Sequence, residues 1–184
     1  MLNLFTTSEF WAAIVGGIFT LAGSSLSLWL QQRLQNKEKG QTALAFVRDQ
    51  AAHFNIVVQH IENHFNARGE IWIEYTNDID ASYAIVNRNV ELITFLGKSI
   101  DKNSIRSYFS NVYHVSRRAT YWQNQFYAAS KKLKSVEEGS AEEKKKCESD
   151  MINARQQMKD CVLELKRIAL STPSITHFPI TTHG

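Results

Sequence analysis

Charge is missing from one long stretch of this chain: between Glu9 and Arg33 there is no Asp, Glu, Lys or Arg. Cysteine is nearly absent as well. Cys147 and Cys161 are the only two, and their spacing fits neither a disulfide scaffold nor a metal-binding motif. On one helix they would stand about 21 Å apart, too far to bridge. The two prolines, Pro173 and Pro179, come late, so no proline interrupts a helix before residue 173. Eight glycines are scattered, three of them inside the uncharged run, and none forms G-x-G-x-x-G or a Walker pattern. No Ser or Cys stands in a nucleophile context. The Glu-x-x-His signature of a di-metal carboxylate bundle is lacking too. These absences point away from the common enzyme classes, and no catalytic residue, cofactor or metal is expected.

What is present begins with the run itself. Phe10 to Leu30 spans 21 residues, which at about 1.5 Å each matches the ~30 Å hydrocarbon core of a bilayer. Trp11 and Trp29 lie about 27 Å apart along such a helix, one near each membrane–water interface, where indole rings prefer to sit. A secretory signal fits less well, because Met1 to Glu9 holds no Lys or Arg and the apolar stretch is too long. Before the run the only charged side chain is Glu9; after it come Arg33, Lys37 and Lys39 against Glu38. The positive-inside rule then places the N-terminus outside and the rest in the cytoplasm. The expectation is a single-pass protein of the cell membrane, in contact with lipid, with a short outer segment over residues 1–9.

Within the run the small residues fall on one side. Ala13, Gly17, Thr20, Ser24 and Ser27 recur at intervals of 4, 3, 4 and 3, flanked by Gly16 and Gly23, while Ile14, Ile18, Leu21 and Leu28 take the other side. In lipid, helices associate where small residues let backbones approach and hydroxyls bond across the contact. The stripe therefore predicts a homo-oligomer. The competing reading is that the hydroxyls bond back to their own helix. If three or more copies meet, the same hydroxyls can line a narrow polar path.

From residue 31 onward the apolar spacing becomes heptad. A juxtamembrane helical linker, 31–40, leads from the span with a bend expected at Gly40. The first segment then carries Leu44, Val47, Ala51, Phe54, Val58, Ile61 and Phe65 and stops near Gly69. The second carries Trp72, Thr76, Ile79, Tyr83, Val86, Val90 and Ile93 and closes at Gly97. A third opens at Asp101, a good N-cap, and runs through Ile105, Phe109, Val112, Ser116, Ala119, Trp122, Phe126 and on to Val136, ending at Gly139. The fourth starts with a capping box at Ser140–Glu143 and carries Cys147, Met151, Ala154, Met158, Cys161, Leu165 and Ile168. Short connections between long heptad segments predict an all-α fold: one transmembrane helix followed by an up-down antiparallel bundle over 41–170. A tail without periodicity, 171–184, completes the chain.

Few polar constellations stand out. His60 and His64 are one turn apart with His53 nearby, but no third ligand is evident and a solvated helix face explains them. Lys131, Lys132, Lys134 and Lys144–Lys146 flank one turn, yet the glutamates among them balance the charge, and the net charge of the whole chain is only +3. Nucleic-acid binding is disfavoured accordingly. Arg117 and Arg118, with His114, Tyr113 and Tyr121 beside them, form the candidate patch for a small anionic ligand. The helical turn Asn87-Arg88-Asn89-Val90-Glu91 is polar between apolar positions of the second segment, and Arg88 and Glu91, at i and i+3, are placed to pair with each other or to reach across to Asp49 and Arg48 of the first.

In layout the chain resembles small bacterial membrane proteins with one N-terminal span and a cytoplasmic helical domain, some of which act as effectors in antiviral defence. That resemblance implies an oligomeric membrane effector or pore-like component under the control of its helical domain. The alternative is a membrane-tethered scaffold, adaptor or sensor that binds a cytoplasmic protein partner or a small anionic ligand.

Overall fold

The computed structural model describes residues 8–98, 100–136 and 141–171, with the side chains of 8–11, 13 and 18 outside the description. Five helices follow in order and no strand occurs among the described residues: α1 (Ser8–Arg68), α2 (Ile73–Arg88), α3 (Val90–Thr94), α4 (Lys102–Ser135) and α5 (Ala141–Leu170). The outer segment up to residue 7 and the tail from residue 172 lie outside the described residues.

The first helix absorbs three parts of the sequence that differ in composition. Its 61 residues include the uncharged run, the polar stretch after it and the first heptad segment. The helix continues through Gly40 without interruption. A Cβ there would stand 3.2 Å from the carbonyl oxygen of Phe95, so the glycine serves a close approach between α1 and the chain that follows α3. Beside it the Lys39 ammonium lies 4.9 Å from the centre of the Phe95 ring, a cation–π contact on the same seam. The helix ends where Gly69 takes φ 70° and its N–H donates to the Phe65 carbonyl at 2.7 Å, the left-handed cap that glycine adopts without strain.

Val47, Ala51, Phe54, Val58, Ile61 and Phe65 are buried as their spacing predicts, joined by Ala43 and Val57. Leu44 is only half-buried. Phe54 packs edge-on against Phe109 of α4 at 5.3 Å between ring centres, and Asn55 accepts from the Tyr108 hydroxyl at 2.8 Å.

The second segment differs from its expected form in two ways. It is two helices, because the backbone at Asn89 (φ −107°, ψ 20°) leaves the helical region. The Asn89 side-chain amide donates to the Ile85 carbonyl at 2.9 Å, the local competition that makes Asn a helix-ender. Trp72 and Val90 also fall outside the core, whereas Thr76, Ile79, Val86 and Ile93 are buried and Tyr83 is half-buried. Neither Arg88 nor Glu91 forms an ion pair among the described residues.

Asp101 caps α4 as its sequence predicts. Its carboxylate accepts from the backbone N–H of Asn103 at 3.0 Å and of Ser104 at 3.3 Å, and from the Ser104 hydroxyl at 2.7 Å. Those bonds, the hydroxyl first, hold the carboxyl below its usual range. At the facing end of α3 the Lys102 ammonium donates to the Thr94 carbonyl at 2.5 Å. The helix ends at Ser135, short of Gly139, and the predicted capping box falls partly on Ser140, outside the described residues.

The broadest contact is between α4 and α5; α1 packs on α5, α2 and α3, and α2 packs on α4. Cys147, Ala154, Met158, Cys161 and Leu165 are buried on α5, and both cysteines are free thiols.

Candidate functional site

Three regions compete as the functional site. The first is the apolar part of α1, which is long and apolar enough to cross a membrane, and of which none of the described residues is buried within the chain. Phe19 and Leu21 are 73% and 69% exposed, a state that water does not favour for side chains of this size. Gly16, Gly17 and Gly23 have open space around them. Of the hydroxyls on the small face, Thr20 donates to the Gly16 carbonyl at 2.8 Å and Ser24 to the Leu21 carbonyl at 3.0 Å. Ser27 has no hydrogen-bond partner among the described residues. The side chains of Trp11 and Ala13 lie outside the described residues. Trp29 is 53% exposed, with the Arg33 guanidinium 5.3 Å from its ring centre, joining the expected interface indole to the first cation after the run.

The second region is Arg117–Arg118 on α4. Consecutive residues on a helix point about 100° apart, and the two guanidiniums go to different neighbours. Arg117 pairs with Asp80 of α2 at 3.0 Å. Arg118 pairs with Glu164 of α5 and also donates to the Cys161 sulfur at 3.4 Å. The Cys161 contact, with Glu164 beyond it, raises the guanidinium above its usual value, while burial pushes the Cys161 thiol up. His114 packs edge-on to Tyr113, which stacks on Tyr83 with 4.3 Å between ring centres; Tyr121 packs edge-on to Trp122. The two arginines of the patch therefore turn to different partners, and an anion at either has to displace a carboxylate.

The third region is the turn between α1 and α2, which no motif in the sequence marks. His60 stacks on Tyr75 at 5.5 Å and His64 on Trp72 at 5.8 Å between ring centres. The His64 Nδ1 is 2.9 Å from the Glu70 carbonyl oxygen. The Ile71 N–H donates to the Gln123 side-chain oxygen at 2.6 Å, and the Tyr127 hydroxyl donates to the Glu70 carboxylate at 2.9 Å. Burial, reinforced by that carboxylate, raises the Tyr127 phenol. His60 is exposed, as expected of a solvated face, and His64 is half-buried; both also stack on aromatic rings at the start of α2. Two recesses open at this turn. One, of about 600 Å³, has Trp72, Glu70, Asn124 and Tyr127 on its walls; the other, of about 510 Å³, lies between the end of α1 and α5. Arg68 borders both. The sequence signal for this site is thin: a tryptophan at a heptad core position three residues after a helix-ending glycine.

No known protein family, curated protein or solved structure matches this chain.

Proposed function

We propose that the chain is a single-pass membrane protein that self-associates through Ala13, Gly16, Gly17, Thr20, Gly23, Ser24 and Ser27 and acts as an oligomeric membrane effector controlled by its helical domain. The observation that carries this reading is the continuity of α1: one helix holds an apolar segment with no packing partner among the described residues and, without a break, the core stripe of the domain. The apolar segment needs lipid and neighbouring copies to cover it. Arg33, Lys37 and Lys39 set its direction, with the N-terminus outside and the domain in the cytoplasm. There α1, α2, α4 and α5 form an up-down antiparallel bundle. Glu62 meets Lys166, while the later Gly69 meets the earlier Arg155, the order expected of antiparallel neighbours.

The test joins the mass of the detergent-solubilised assembly to dye release from vesicles. The proposal expects an oligomer that releases dye, and loss of both when Gly17, Ser24 and Ser27 are replaced together by Leu. A monomer that inserts without release overturns it. An adaptor without a pore is the second reading, favoured by Leu163 and Leu170, which lie one heptad apart on α5 and are 50% and 79% exposed.

A further inference from the structure

The recess between the end of α1 and α5 collects three cations, Arg68, Arg155 and Lys159. None of them has an acidic partner among the described residues. This is not a general property of that face. Lys166, two turns further along α5, is held by Glu62 at 2.7 Å, and Asp160 accepts from Gln156 at 2.9 Å. Arg155 is brought to the recess by Gly69, over which its guanidinium packs so closely that a Cβ there would collide with it. Three uncompensated like charges in one concavity repel one another, and an anion relieves that repulsion. The carbonyl end of α1 offsets only about half a charge.

Arg68 also borders the adjoining recess, where Trp72 and Tyr127 are 48% and 44% exposed. Trp72 is already oriented, stacked on His64 and edge-on to Tyr75 at 5.4 Å. Next to it Asn124 and Glu70 offer a side-chain amide and a carboxylate. A cation cradle that shares one arginine with an aromatic platform and polar edge groups matches one ligand chemistry: phosphate joined to a planar heterocycle.

We infer that the α1–α2 end of the domain binds a soluble nucleotide, its phosphates on Arg68, Arg155 and Lys159 and its base against Trp72. Arg117 and Arg118, satisfied by Asp80 and Glu164, are not part of this site. A lipid phosphate is the wrong source, because Arg68 lies about 57 Å beyond Leu30 along one continuous helix. The inference does not depend on self-association of the apolar segment.

Calorimetric titration of the full-length protein in neutral detergent micelles, with ATP, inorganic triphosphate and adenosine as probes, tests it. The expected result is saturable ATP binding that weakens about tenfold or more in Lys159→Glu and in Arg155→Glu. Trp72→Ala should weaken ATP roughly tenfold while leaving triphosphate unchanged, and triphosphate should bind the wild type less tightly than ATP does. Because Arg155 packs on Gly69, Lys159→Glu carries the test if Arg155→Glu does not fold. The absence of saturable ATP binding up to millimolar concentration overturns the inference. So does ATP affinity unchanged in Lys159→Glu, or triphosphate binding as tightly as ATP.

Discussion

The backbone N–H of Ile71 donates to the side-chain oxygen of Gln123 at 2.6 Å, fastening the turn between α1 and α2 to the middle of α4. Both residues are buried, so the bond has no water to replace it. Gln123→Leu strands the N–H and should lower unfolding stability by about 1–3 kcal/mol. Gln125→Leu, on the exposed side of the same helix, should change it by less than about 0.5 kcal/mol. Equal denaturation midpoints for the two variants would show that the bond contributes nothing.

Gly40 sits in a helix interior, where Ala is ordinarily better by about 1 kcal/mol. Here the Phe95 carbonyl lies 3.2 Å from where the methyl would go, and that crowding offsets the gain. Gly40→Ala should leave stability nearly unchanged. Gly40→Leu should push Phe95 off α1, break its contact with Lys39 and raise amide hydrogen exchange at Leu96 and Ile100. Unchanged exchange in the leucine variant would count against the close approach.

Phe54 and Ile56 are both large, apolar and one residue removed from each other, but Phe54 is fully buried and Ile56 is 54% exposed. Phe54→Ala removes a ring packed against Phe109 and should cost about 3–5 kcal/mol. Ile56→Ala should cost far less, about 0.5 kcal/mol. Chemical denaturation of the two variants side by side reads the phase of the helix directly; a reversed order would place the core on the wrong face.

Asp101 gives α4 a pH-dependent start. Its carboxyl titrates lower in the folded chain than in the unfolded one. The stability it adds is therefore complete above the unfolded value, about 3.9, and is lost as pH falls through the lower folded value. Thermal midpoints of the wild type and Asp101→Ala should differ most at neutral pH and converge as the solution is acidified below the carboxylate range. A difference that stays constant with pH would remove the carboxylate from the explanation.

Periodicity made much of the helical content legible. The stripe from Val47 to Phe65 is buried where a heptad puts it, as is that from Cys147 to Leu165 apart from half-buried Met151, and Gly69 and Asp101 end and begin helices as their chemistry dictates. The break at Asn89 stayed hidden because the apolar spacing runs through it unchanged; only the backbone departs. The position of Trp72 fits the heptad core, yet the residue falls in the turn before α2, where His64 and Tyr75 cover only part of its ring and it stays half exposed. The partners of Arg117 and Arg118 were invisible for another reason. Asp80 and Glu164 lie 37 and 46 residues away, and nothing local announces such pairs. The same holds for Arg155 and Lys159, ordinary surface residues of α5 until Arg68 is placed beside them.

An unbroken α1 has a mechanical meaning. On the proposed function, in which the helical domain controls the apolar segment, α1 is the drive shaft: a hydrogen-bonded helix resists stretching and bending over a few turns and delivers at one end the torque applied at the other. Each residue advances the helix by about 100°, and a quarter-turn of the domain therefore swaps the face that carries Gly17, Thr20 and Ser24 for one that carries Leu. Had Gly40 been a hinge, that turning would be lost as wobble before it reached the apolar segment.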